Sequence, residues 1–183
     1  ETLGPLGVRK YAEFSDLVAK SGHHLLALIN NVLEVSRIDD NAAALEIVEF
    51  DFNECVQSCI TLTRRLRDFK NQTIIAHTSG APLLINDERL IKHVLTNLLS
   101  NAVKFSNEGG NISVTAWSEG GTFIFEVTDD GVGIDASLVP HLTELFYQSD
   151  RSFTRGHDGM GVGLYLVKRY LDLMKGSLTF EKG

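Results

Sequence analysis

Of three short stretches that stand out in this chain, two carry residue types and spacings suited to meeting phosphate and one a carboxylate suited to a ligand amine, and an aromatic segment accompanies them. In LIKHVLTNLLSNAVKF, Asn97, Asn101 and Lys104 fall at i, i+4 and i+7, which sets two carboxamides and an ammonium on one side of a helix. Carboxamide oxygens are ligands for hard divalent cations, and a lysine neutralises phosphate. Taken alone, this helix shows only a solvated polar face. Further on, Asp129-Asp130-Gly131-Val132-Gly133-Ile134 ends a strand with a carboxylate and two glycines. Such a carboxylate can accept a hydrogen bond from a ligand amine while the chain passes close beneath it, although an ordinary Asp-Gly turn reads the same way. Gly159-Met160-Gly161-Val162-Gly163-Leu164 then opens a helix, where backbone N–H groups and the positive helix end suit phosphate oxygens. Between the last two stretches lies the aromatic segment Leu145–Gln148.

The elements that must position these residues can be read from periodicity. Asp87 is a natural N-cap for the asparagine-bearing helix, with Ile91, Val94, Leu95, Leu98 and Ala102 as its expected buried stripe. Asn111–Ser118 and Thr122–Thr128 read as strands of a hairpin closed by the glycine-bearing Glu119–Gly121. The helix after the second glycine stretch should run to about Met174. Upstream, Leu45–Phe50 reads as a strand, and Asp51 with Glu54 begins a helix reaching about Lys70 in the manner of a capping box. Thr73–His77 and Leu83–Asn86 read as short strands about the turn Ser79–Pro82. No parallel βαβ unit surrounds the glycines, so a dinucleotide-binding fold is excluded. Runs of strands and helices with hairpins predict an α+β fold: a two-layer α/β sandwich whose mixed, mostly antiparallel sheet is covered by three helices on one face.

A long helix should precede this sandwich. Tyr11, Phe14, Val18, Ser21, Leu25, Leu28, Val32 and Val35 alternate by three and four, with Leu17, Leu26, Ile29 and Leu33 along one edge. So wide an apolar stripe belongs in a helical bundle, and its partner helix is expected from a second subunit or from sequence upstream of Glu1. A pattern break at Asp39–Ala43 sets the expected boundary between a segment 1–40 and a domain 41–183. The chain has 183 residues, a net charge of −7 and 43% hydrophobic content. Its acidity argues against a nucleic-acid surface, and no apolar run reaches membrane-spanning length, so no membrane contact is expected from this segment. Cys55 and Cys59, the only cysteines, have the spacing of a helical metal pair but no third ligand nearby. Buried reduced thiols are the expectation, which suits a cytoplasmic protein. His23 and His24 on the long helix have no carboxylate beside them in sequence and read as polar surface. His93 is expected at an angle away from the Asn97–Asn101 face.

Taken in order, N-x-x-x-N-A-x-K, D-x-G-x-G and G-x-G-x-G-L with the intervening aromatic segment resemble the ATP-binding domain of sensor histidine kinases. That domain is of the Bergerat type, in a superfamily shared with gyrase, Hsp90 and MutL. Asn97–Phe105 matches the N box, Asp129–Gly133 the G1 box, Leu145–Gln148 the F box and Gly159–Leu164 the G2 box. Ser21–Ile38 is similar to the second helix of the dimerisation and histidine-phosphotransfer hairpin. The GPLG…Y stretch before it resembles alphaproteobacterial cell-cycle kinases of the PleC/DivJ/PdhS type.

The resemblance implies roles. Asn101 would coordinate Mg²⁺ bridging the ATP phosphates, Asn97 and Lys104 would contact phosphate, and Phe105 would pack near the adenine. Asp129 would accept the adenine amino proton, and Gly131 and Gly133 would let the base approach the backbone. Gly159, Gly161 and Gly163 would hold the phosphates, with Ile134, Phe146, Val162 and Leu164 completing the site. Phe146–Asp158 would be a lid from which Arg151 or Arg155 reaches the γ-phosphate. The gyrase- and Hsp90-like branches carry a glutamate base four residues before the metal asparagine, where this chain has Asn97. An amide cannot take a proton from water, so the resemblance favours phosphoryl transfer to histidine over hydrolysis. Relay to the aspartate of a response-regulator receiver domain and a homodimer through the 8–38 helix are further implications. The chain departs from the pattern in three places. It has no phosphoacceptor H box, which is expected upstream; Met160 stands where threonine is commoner; and the strand after the G2 helix is cut short, so a fragment, or the ordered part, of a longer kinase is expected. A degenerate kinase serving as a nucleotide-sensing or interaction scaffold is the alternative.

Overall fold

The computed structural model describes residues 9–39, 44–78, 83–148 and 161–181. The chain folds as two compact units, Glu1–Ala43 and Ala44–Gly183. In the first, helix α1 spans Arg9–Asp39. Its stripe is unsheltered: Tyr11, Phe14, Val18, Leu25 and Val32 are between 49% and 70% exposed.

The second unit runs β1 (Ile47–Asp51), α2 (Phe52–Phe69), β2 (Thr73–His77), β3 (Leu83–Asp87), α3 (Glu88–Phe105), β4 (Asn111–Glu119), β5 (Thr122–Asp129), a short 3-10 turn at Val139–His141, and α4 (Gly163–Leu173). It is an α+β fold. β1 and β3 form an antiparallel ribbon, while β2, β4 and β5 form a sheet in the order β2-β4-β5. β2 lies parallel to β4, with Thr73 opposite Asn111, whereas β4 and β5 are an antiparallel hairpin closing at Glu119 and Thr122. Gly120 and Gly121 both have positive φ, as a two-residue hairpin turn of this hand requires.

The helices start where the sequence provides caps. An Asp51 carboxylate oxygen accepts the Asn53 and Glu54 backbone N–H groups at the head of α2. At the head of α3, Asp87 accepts from Arg89 and Leu90 N–H groups. That carboxylate is buried, and it also receives the Glu46 N–H and the Arg89 guanidinium. Burial alone would raise its proton affinity, but these hydrogen bonds hold it below the usual carboxylate range.

The core lies between α2, α3 and the sheet. Phe52 stacks edge-on against Phe123 at 4.8 Å, beside Leu95, Leu99, Ile112 and Val114. The α3 stripe differs from expectation at one register: Leu99 and Val103 are buried with Ile91, Val94, Leu95 and Ala102, whereas Leu98 is half-buried. With α2 packed on one flank and α4 on the other, the covered arc is wider than a single-sided stripe and centred one residue on. Cys55 and Cys59 are free and buried in this core.

Candidate functional site

Asn97, Asn101 and Lys104 sit half-exposed along α3, outside its buried arc. The Asn97 amide donates to the His93 carbonyl at 3.0 Å. His93 itself is not turned away as expected: at i−4 from Asn97 it lies on the same side, with its ring 5.5 Å from that of Tyr170 in α4. The Lys104 ammonium lies 4.9 Å from the ring centroid of Phe105, a residue that is 39% exposed.

α4 begins against this helix. A Cβ at Gly163 would stand 2.9 Å from the Asn97 amide oxygen, so glycine there lets the helix start meet the asparagine. Val162, the N-cap of α4, makes no side-chain cap bond, and the first N–H groups of a helix have no partner within it. Val162 is buried in the core, so only its backbone can face a ligand, while Leu164 is half-buried. Gly161 has φ +67°, and a Cβ on it would lie 2.5 Å from the Tyr147 carbonyl oxygen. The Phe146 N–H donates to the Gly161 carbonyl at 2.9 Å, so the aromatic segment and the second glycine stretch are tied together. Phe146 takes a positive φ of 64° with its ring exposed.

Asp129 ends β5, and one of its oxygens accepts the Gly131 N–H at 2.9 Å. Much of the side chain remains open to solvent, yet the surrounding protein, and to a lesser degree the charge of Asp130, push its carboxyl above the usual range. Gly131 is required for a reason the sequence did not suggest: a Cβ there would strike the Phe105 carbonyl oxygen. The close approach that the structure shows here is between the strand end and the end of α3. Gly133 stands in open space with a φ of +66°, and Ile134 is exposed.

The structure thus brings Asn97 to Gly163, Phe105 to Gly131, and Phe146 to Gly161. Gly159, Met160, Arg151 and Arg155, and most of the expected lid, lie outside the described residues, as do the Ser79–Pro82 turn and the side chains of His23 and His24. Sequence reasoning missed the clamp on the last turn of α3. The Lys70 ammonium donates to the Val103, Lys104 and Ser106 carbonyls, and the Gln72 amide to those of Val103, Ser106 and Asn107. Among the described residues no group of three His, Cys, Asp or Glu side chains is placed to hold a metal.

An antiparallel hairpin ending in a carboxylate, a helix of amides beside it, and a glycine-led helix define a class. Residues 86–183 match the family of histidine kinase-, DNA gyrase B- and HSP90-like ATPases, and the chain belongs to it. Over 181 residues it is 35% identical to the circadian input-output histidine kinase CikA of Synechococcus elongatus, covering 97% of this chain and 24% of that protein. It is 36% identical over 179 residues to the histidine protein kinase DivJ of Caulobacter vibrioides, covering 97% and 30%. The chain therefore spans about a quarter to a third of these relatives' lengths. Full-length ShkA, solved in complex with AMPPNP, superposes with a TM-score of 0.82 at 28% identity, covering 96% of this chain and 37% of that one. Histidine kinase ThkA in complex with the response regulator TrrA shares the fold, with a TM-score of 0.70 at 21% identity.

Proposed function

We propose that this chain is the ATP-binding and phosphoryl-transfer part of a two-component sensor histidine kinase. It donates the γ-phosphate to a histidine upstream of Glu1, for relay to a response-regulator aspartate. The observation that carries the reading is the convergence on α3 of the Asp129 strand end, through Gly131 at Phe105, and the start of α4, through Gly163 at Asn97. Asp129 accepts the adenine amino group, with Phe105 and Ile134 as apolar neighbours of the base. Asn97 and Lys104 meet phosphate, as do the N–H groups of Gly161, Gly163 and Leu164; the lid supplies Phe146 and either Arg151 or Arg155.

The donor set fits Mg²⁺ held mainly by the nucleotide. Asn101 would offer the ion one neutral, hard oxygen from a half-exposed face, the remaining ligands coming from phosphate and water. When bound, the ion neutralises charge on the transferring phosphoryl group. The chain's own residues orient the triphosphate, and Asn97 supplies no base for water. The exposed stripe of α1 pairs with a second copy in a homodimer. No helix among the described residues is long and apolar enough to cross a membrane, which is compatible with a cytoplasmic location.

Incubation with γ-labelled ATP tests this reading. The chain alone takes up no acid-labile label, whereas a version extended upstream through the first hairpin helix does, on a histidine before Glu1. Label on His23 or His24 would place the phosphoacceptor elsewhere, and a silent extended protein with an intact H box would favour the scaffold.

A further inference from the structure

Asp130, the second carboxylate of the first glycine stretch, is the best-anchored side chain around the proposed adenine site, and no role has yet been given to it. One oxygen accepts the Ser106 hydroxyl, and the other accepts the Asn111 N–H at 2.8 Å. Its carbonyl accepts the Asn107 amide at 2.7 Å. Ser106 is itself the C-cap of α3, its N–H bonded to the Ala102 carbonyl. The connection between α3 and β4 is moulded around this carboxylate: a Cβ at Gly110 would collide with both the Asp130 oxygen and the Ser106 hydroxyl. Gly109 and Gly110 are in turn bonded to Lys70 and Thr73. The Ser106 hydroxyl, then the Asn111 N–H, hold the Asp130 carboxyl below the usual range, so it stays ionised while its neighbour Asp129 is pushed upward.

These contacts knit the residue next to the adenine acceptor to the last turn of the helix that carries Asn101, Lys104 and Phe105. We infer that Asp130 is a positioning residue, whose bonds to Ser106, Asn107 and Asn111 fix the Asp129 carboxylate relative to α3 and thereby set adenine selectivity. Asp130 does not touch the nucleotide; it acts through Asp129. The inference rests on the adenine-acceptor reading of Asp129.

The test is calorimetric titration of Mg-ATP and Mg-GTP into the 183-residue chain and into Asp130→Asn, Ser106→Ala, Asp129→Asn and the double variant Asp129→Asn/Asp130→Asn. Asp130→Asn should weaken ATP roughly tenfold and lower the ATP-to-GTP preference by a similar factor, the scale of one lost charge-assisted hydrogen bond at Asp129. Ser106→Ala, which removes a single partner, should shift the preference in the same direction by less. In the double variant the loss should match that of Asp129→Asn alone, because Asp130 acts through that residue. A lower melting temperature in Asp130→Asn and Ser106→Ala with the preference unchanged would overturn the inference, as would additive losses in the double variant. Should Asp129→Asn itself leave the preference unchanged, the adenine reading falls and this inference with it. An effect of Asp129→Asn beside unaltered preferences in the other two single variants refutes the inference alone.

Discussion

The two described glycines at the head of α4 should respond to alanine in opposite ways. At Gly161 the added Cβ meets backbone on every near side: the Tyr147 oxygen at 2.5 Å, the Phe146 carbonyl carbon at 2.6 Å and the Tyr147 nitrogen at 2.9 Å. None of these atoms can rotate away. The left-handed φ of +67° adds about 1–2 kcal/mol for a residue with a Cβ. Displacing packed backbone adds roughly 1–3 kcal/mol more, so Gly161→Ala should cost about 2–5 kcal/mol. At Gly163 the Cβ meets a side-chain end, the Asn97 amide oxygen at 2.9 Å. Alanine favours the helix by up to about 1 kcal/mol over glycine. Rotating Asn97 off the His93 carbonyl costs about 0.5–1.5 kcal/mol, leaving stability nearly unchanged. Urea unfolding with a parallel Mg-ATP titration separates the two. Gly161→Ala should lose stability, while Gly163→Ala should keep it and lose ATP affinity because Asn97 has moved. A Gly161→Ala protein as stable as its parent would refute the packing of Phe146 and Tyr147 against α4. A Gly163→Ala protein with full affinity would remove Asn97 from the phosphate site.

Further outcomes follow from the same geometry. The Asp87 carboxyl titrates lower folded than unfolded, so its contribution is present above the ordinary carboxylate value and lost as pH falls through the folded one. Asp87→Asn should therefore lower stability at neutral pH by roughly 1–3 kcal/mol and flatten the acid limb of a melting-temperature profile; a parallel acid limb would contradict this. The Asp129 carboxyl is shifted the other way, so ATP affinity should fall with acidification at a higher pH than an ordinary carboxylate gives. Titrations across the acidic range check it, with Asp129→Asn losing that dependence. Replacing Leu25 and Val32 by aspartate should convert a dimer to a monomer that still binds ATP, and sedimentation showing a monomeric parent would refute the paired stripe.

Local chemistry made much of this molecule readable in advance. Asp87 and Asp51 announced their helices because a cap needs only residues two or three positions away. The β4–β5 hairpin was marked by its two glycines. What could not be read depends on distant segments. The parallel pairing of β2 with β4 joins strands separated by β3 and α3, and no local pattern encodes it. Lys70 and Gln72 looked like a helix end and a loop, yet they close the carbonyls of α3 more than thirty residues later. The shift from Leu98 to Leu99 came from two flanking helices that a one-sided stripe does not anticipate. Within the candidate site the residue types were legible, but the reasons differed. Gly131 makes room for the Phe105 carbonyl, and Asp130, passed over as part of a turn, is bonded to Ser106, Asn107 and Asn111.

The proposed function turns on Asp129 as the acceptor of the adenine amino group. Titrating Mg-ATP into the parent chain and Asp129→Asn by calorimetry tests it most directly. The parent should show saturable, Mg²⁺-dependent binding, and the variant a loss of roughly ten- to a hundredfold, the scale of one charge-assisted hydrogen bond. Equal ATP affinity in the two proteins would contradict it.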